Sequence, residues 1–520
     1  MDLPGTNAMQ NSSVDSRSSL SNLSSTNPRR HLAAALVGLG ALTGGSAAQV
    51  AMPAPGEAAA FAQAQAYPAI SLVDNEVNVY VDPPGVNHVI LRTTIHVQVS
   101  AQPQDDFHAY RVRRAFRQSG VGFLIAPHLA GRFESLETGP SYMDSFVGNL
   151  LRKGHEVWGF DNRGTTLSEP DCALAGVPAL VESWGLDSLI ADASLVRDLM
   201  DHSWPTPPEK VVIGGHSLGA ITSLITINQD PTRYDGVFAH DGTLFTQNPM
   251  VAGDNADVDG DGLEDNPGLA DSYFGLLSSV IVPAIGPCDF TTETLMKVVV
   301  PTAFSPAGEM LPRPELDMDA DPFNDAGEPL LDAIDAAFLD LRGTPMNLRE
   351  FAVFAFSVPG PNPNAPGIPG YRVLASQIED LGGVPVGDFS NLGDLADPSK
   401  YFFTQCDVDR VVADAVTFGN LTSRGLLIEL QGTLGNLGVS PLTGTDHVAN
   451  LDHFTGHALF LAPEHGFGGA MQETSALLTG AASNTLVKYH GYGHADIRFS
   501  QDFGADQMQP ILDLAEAVKP

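Results

Sequence analysis

The chain has 520 residues, 43% of them hydrophobic, enough for one large core or for more than one folded unit. Its 26 Lys and Arg face 62 Asp and Glu, a formal net charge of −36. Such a surface repels phosphate backbones and anionic membrane faces, which excludes nucleic-acid binding; it suits solubility, and salty water would screen its self-repulsion.

In chain order, residues 1–66 read as an address. The first 28 are rich in Ser and Asn, and "RRHLAAALVGLGALTGG" follows, Arg29 and Arg30 running into an apolar stretch of Ala and Gly. This fits an export signal of twin-arginine type, with small-residue cleavage sites near Ala64 or Ala66 in "FAQAQA". An uncleaved anchor is the alternative; no other segment is a candidate span, so no stable membrane span is expected after cleavage. The expected location is secreted or periplasmic. Three cysteines, Cys172, Cys288 and Cys406, allow at most one internal disulfide and form no C-x-x-C pair.

Residues 67 to about 115 read as strands: "VNVYVDPPG" alternates and turns, and in "TIHVQVSAQ" Ile95, Val97 and Val99 share a face. From Val121 three short apolar runs, "VGFLIAPHLAG", "HEVWGFDNRG" and "KVVIGGHS", are separated by helical stretches such as "SYMDSFVGNLLRKG" and "DSLIADASLVRDLMDH", and "YDGVFAHDG" continues the series. Buried strands alternating with helices predict a mostly parallel sheet covered on both faces. After Gly242 the rhythm breaks. Residues 243–423 are rich in Pro, Gly and Asp and read as an insertion; the sheet texture returns over 424–520 with "RGLLIELQG", "GHALFLAPEHG" and "NTLVKYHGYGHADI", and "MQPILDLAEAV" closes as a helix.

Gly215-His216-Ser217-Leu218-Gly219 matches G-x-S-x-G. The bare pattern is weak in a chain with 52 glycines. Its setting is stronger: a hydrophobic strand enters it and "LGAITSLITIN" leaves it as a helix. A strand-to-helix elbow would raise the Ser217 hydroxyl at a helix N-terminus and aim the Leu218 N–H at a developing oxyanion. A serine needs a base, and His494 in the glycine loop "YHGYGHADI" could reach it. His490 belongs to the strand, where it would pack, and His216 would support the turn or line the pocket.

The element order and the motifs "PHLAG", "GFDNRG", "GGHSLGA" and "GYGHAD" resemble the α/β-hydrolase superfamily, towards its lipases and esterases, over roughly residues 118–242 and 424–520. The resemblance implies Ser217 as nucleophile and His494 as base. It implies a second oxyanion donor in the loop after "GFLIAP", the Leu129 N–H or else that of Ala130. The 243–423 insertion would be a cap after the sixth strand, and Asp161 and Arg163 a structural turn. The acid departs from the pattern. Taken as the penultimate strand, "LLIELQGTLGNLGVSP" carries Gly435 where the family has its acid. Glu464, ending the next strand, then becomes the expected partner of His494, with Asp446, Asp452 and Asp241 as rivals.

In the insertion, "DVDGDGLED" places Asp257, Asp259, Asp261 and Asp265 as D-x-D-x-D-G-x-x-D, carboxylates that could converge on a structural calcium. "DMDADPFND" echoes the spacing but has Pro322 in place of the glycine. The expectation is an exported serine ester hydrolase acting on a small-molecule or polymeric ester, with no catalytic cofactor. Acyl transfer by the same triad, or a binding protein on an inactive hydrolase fold, are the alternatives.

Overall fold

The computed structural model describes residues 68–82, 85–116, 119–203, 207–244 and 406–519 except 420, 436, 437, 441 and 442, with short stretches at 287–289, 296–297, 300–305, 376–378 and 401–403. The export address and the Asp257–Asp265 loop lie outside the described residues.

Nine strands form one sheet: β1 (Ala69–Asp82), β2 (Val86–Gln98), β3 (Asp106–Arg114), β4 (Val121–Ala126), β5 (Glu156–Phe160), β6 (Lys210–His216), β7 (Gly236–His240), β8 (His457–His465) and β9 (Ser483–Gly493). Their spatial order is β1-β2-β3-β5-β4-β6-β7-β8-β9. The first three strands and the β3–β5 pair are antiparallel; from β5 to β9 every pair is parallel. Residues 121–240 thus build the expected parallel sheet, and Val97, with Ile95 and Val99 packed beside it, faces one core.

Helices cover both faces, which is why β4, β5 and β7 are buried along their whole length. On one face lie α1 (Phe146–Arg152) and α7 (Gln509–Val518); on the other lie α2 (Leu186–Asp201), α3 (Leu218–Gln229) and α6 (Gly468–Ala476). The strands serve the two cores alternately. In β7, Val237 and Ala239 join the α2–α3 core while Phe238 joins the α1–α7 core; in β8, Phe460 and Leu461 divide the same way.

One element departs from its sequence reading. "RGLLIELQG" is not a strand but helix α5 (Arg424–Gly435). Leu426, Leu427, Leu430 and Leu434 are buried at helical spacing, and Ile428 is exposed. Glu429 fixes the helix in place: its carboxylate accepts from Leu186 N at 2.6 Å, capping α2, and from Ser440 Oγ at 3.0 Å. The strand before β9 is therefore β8, and Gly435 sits in a helix rather than in an acid's place.

Most of the expected insertion lies outside the described residues. Of its edges, Cys288–Asp289 pairs antiparallel with Thr422–Ser423, and a disulfide joins Cys288 to Cys172. Cys406 is a buried free thiol. Helix α4 (Val408–Ala415) packs Val411 and Ala415 against Ala495 and Phe499. Among the described residues no helix is long and apolar enough to cross a membrane.

Candidate active site

β6 ends at His216, and α3 begins at Leu218. Ser217 between them has φ 56° and ψ −120°, a conformation that costs an L-residue on the order of 1–3 kcal/mol. Neighbours hold it there. Ser217 N donates to His240 O at 2.9 Å, and Ser217 O accepts from Ala220 N and Ile221 N. The two motif glycines permit the turn: a Cβ on Gly215 would stand 2.8 Å from the Gly219 carbonyl carbon, and one on Gly219 would stand 2.3 Å from Ala126 O. Gly219 therefore seats the first turn of α3 directly on the loop that leaves β4.

That loop is tight. Gly131 N donates to His128 O at 2.7 Å, Asn162 Nδ2 donates to the same oxygen at 2.7 Å, and Ala130 is forced to φ 51°. Leu218 N belongs to the first turn of a helix, whose N–H groups have no intrahelical acceptor. Leu129 N has no main-chain acceptor among the described residues. Both expected oxyanion donors thus lie on segments that meet at the elbow.

His494 follows β9 and is buried. His216 Nε2 donates to the His494 carbonyl at 2.9 Å, and the two rings lie 4.6 Å apart. His494 is thereby held against the residue preceding Ser217.

The carboxylate that meets His494 is Asp241, not Glu464. Asp241 Oδ2 lies 2.5 Å from His494 Nδ1, and Asp241 Oδ1 accepts from Phe467 N at 2.7 Å. Asp241 is fully buried, which pushes its carboxyl up; the His494 charge and the two hydrogen bonds oppose that. Glu464 instead accepts from Gly491 N at 2.6 Å and so pins the start of the histidine loop. The remaining rivals lie on the surface: Asp446 accepts from Val448 N, and Asp452 is exposed beside His453. Glu464 lies at the end of β8, the strand before β9, where the resemblance places the acid, but its carboxylate accepts from Gly491 N. The partner of His494 comes one strand earlier: Asp241 is the residue directly after β7, the neighbour of the nucleophile strand.

Among the described residues, only three other than glycine have positive φ: Ala130, Ser217 and Asp241. They follow β4, β6 and β7, three strands adjacent in the sheet. Backbone strain of this kind gathers at active sites because surrounding structure must hold it in place.

The remaining residues singled out in the sequence are structural or exposed. Asp161 accepts from Phe133 N at 2.7 Å and Tyr110 Oη at 2.8 Å, and Arg163 pairs with Asp105 and Asp192. His490 is exposed rather than packed. Sequence reasoning missed a cluster of buried polar side chains behind the elbow: His128, His240 and the Asp414–Arg498 pair, which ties α4 to the loop after His494. No spacing rule could find it, since its members come from four separate segments.

The model of the family described as serine aminopeptidase S33 matches residues 137–253, the stretch that contains α1, the elbow and Asp241. No curated protein sequence matches the chain. Among solved structures, a Sulfolobus solfataricus protein assigned as a lipase is 14% identical, with 86% of this chain and 99% of that one covered and a TM-score of 0.44. A lipase in its open form is also 14% identical, covering 81% and 97%, with a TM-score of 0.40. An α/β-hydrolase fold protein from Nakamurella multipartita is 10% identical, covering 85% and 99%, with a TM-score of 0.33. Likenesses this distant assign neither activity nor substrate. The sheet order and the strained elbow are those of the α/β-hydrolase fold. The chain has the α/β-hydrolase fold, and residues 137–253 are similar to the serine aminopeptidase S33 family.

Proposed function

We propose that the chain hydrolyses carboxylic esters through Ser217, His494 and Asp241. The observation that carries this reading is the contact of Asp241 with His494 Nδ1, which assigns Nε2 to the serine in this mechanism. In this mechanism Ser217 Oγ attacks the ester carbonyl as His494 Nε2 takes its proton. The Leu218 and Leu129 N–H groups stabilise the tetrahedral oxyanion. Its collapse breaks the bond to the alcohol, and His494 returns the proton to that leaving group. Water, activated by the same histidine, then releases the acid and restores Ser217. Asp241 holds the imidazole in the required tautomer and stabilises the imidazolium formed on the way.

Aromatic walls beside the elbow, including Phe133, Phe160 and Phe238, favour an apolar ester. The family match favours a second reading, cleavage of an N-terminal peptide bond by the same residues. A fluorophosphonate probe and two chromogenic substrates separate the possibilities. Labelling that disappears in Ser217→Ala, with turnover of a p-nitrophenyl ester and none of an aminoacyl p-nitroanilide, is the expected result. Anilide turnover alone would make the protein a peptidase. An unlabelled protein would be a binding protein on this fold, and ester formation from added alcohol would mark an acyltransferase.

The same reading takes the chain as exported, on the strength of the Arg29–Arg30 segment, and has Asp257, Asp259, Asp261 and Asp265 holding a structural calcium. A chelator should then lower the melting temperature, and added calcium should restore it.

A further inference from the structure

Behind the elbow lies a cavity of about 290 Å³ that begins at Gly215 and His216. At roughly 30 Å³ for each water-sized group, it has room for about ten non-hydrogen atoms. Phe133, Phe146, Phe160 and Phe238 are among its apolar lining; His216, His240 and Gln507 also line it, as do three arginines and three aspartates, Arg498 and Asp414 among them.

Hydrogen bonding sets the tautomers of His216 and His240. His216 Nε2 faces a carbonyl oxygen, which can only accept, so Nε2 carries the proton and Nδ1 keeps its lone pair. Gln507 Nε2 lies 2.9 Å from His240 Nδ1, and in this amide orientation it donates to Nδ1, which puts the proton on His240 Nε2. Burial and neighbouring cationic groups hold both imidazoles well below their usual range, hence neutral. The His216 Nδ1 acceptor and the His240 Nε2 donor are buried, and neither has a partner among the described residues. Their rings lie 4.7 Å apart. His240 is 1% exposed and Gln507 4%, so water outside the cavity does not reach them. Leaving such groups unsatisfied is costly, and a hydroxyl, donor and acceptor at once, satisfies both.

We propose that this cavity is a subsite for a hydroxyl-bearing apolar group of the substrate, the hydroxyl donating to His216 Nδ1 and accepting from His240 Nε2. Its role in turnover rests on the ester-hydrolase reading; its binding chemistry does not.

Benzyl alcohol and toluene, which differ by the hydroxyl, test the binding without turnover. Calorimetric titration of the intact protein should give benzyl alcohol the higher affinity by about tenfold or more. His240→Phe, which keeps a ring and removes the N–H, should erase the difference. Equal affinities in the wild type, binding of neither compound, or an undiminished preference in His240→Phe would overturn the proposal. Should His240→Phe fail to fold, ¹⁵N-histidine resonances of the wild type decide: the His216 Nδ1 signal should move with benzyl alcohol and not with toluene, and an unmoved signal contradicts the site. Two esters then locate the group, one with the hydroxyl on the acyl chain and one with it on the alcohol. The half that enters should raise kcat/KM over its unhydroxylated parent. No gain for either, with benzyl alcohol still preferred, would remove the subsite from the reaction while leaving ester hydrolysis intact.

Discussion

Asp241 stands one residue past β7 with φ 45°, its carboxylate shared between His494 Nδ1 and Phe467 N. Gly466 makes room for it: a Cβ there would lie 2.1 Å from Asp241 Oδ2. Gly466→Ala should therefore displace the carboxylate from His494 and lower kcat by at least about tenfold, with KM nearly unchanged. An unaltered kcat would mean that the carboxylate tolerates the displacement. At this scale Ser217 and His494 could be read from the chain, because each lies in a short motif next to an unmistakable strand. Asp241 could not be singled out. It lies 253 positions from His494, and in a chain with 62 acidic residues an Asp after a strand is unremarkable. What singles it out is full burial and positive φ, and sequence shows neither.

The parallel strands were legible because helices on both faces make them continuous apolar runs, as in "VGFLIA" and "GVFAH". The same rule misled at "RGLLIELQG", since a short apolar run serves a buried helix equally well. The spacing of Leu426, Leu430 and Leu434 was the available signal. Two predictions belong to elements. Gly219→Ala would drive a Cβ into Ala126 O and push α3 off the β4 loop. It should destabilise the fold by about 1–3 kcal/mol and depress kcat, seen as a lower melting temperature with slower ester turnover. The Cys172–Cys288 bridge closes a separation of 116 residues and fastens the insertion to the core. Cys172→Ala should cost about 2–4 kcal/mol in denaturant unfolding; a variant as stable as wild type would show that other contacts suffice.

The whole molecule is governed by its charge of −36. Mutual repulsion disfavours the compact state, so raising sodium chloride from low concentration should raise the melting temperature. Protons act in the same direction. Burial pushes the carboxyls of Asp161 and Asp414 up to about 6 from an ordinary 3.8. The folded form therefore keeps protons that the unfolded chain has lost. Their stabilising contribution is complete below about pH 3.8 and is lost as pH rises through about 6. The melting temperature should be higher at pH 5 than at pH 7.5, and salt should narrow the gap by screening the repulsive share alone. The opposite order would contradict the dominance of these raised carboxyls. The acidic surface was plain in the composition, whereas the two buried carboxyls depend on packing that composition does not contain.

The central claim is that Asp241 completes the site and Glu464 does not. Steady-state hydrolysis of one p-nitrophenyl ester by Asp241→Asn and Glu464→Gln, each confirmed to be folded, tests it. Asp241→Asn should lose about 10⁴-fold in kcat through the wrong histidine tautomer, and Glu464→Gln should stay within about tenfold of wild type. A near-active Asp241→Asn, or a comparable collapse in Glu464→Gln alone, would contradict the account.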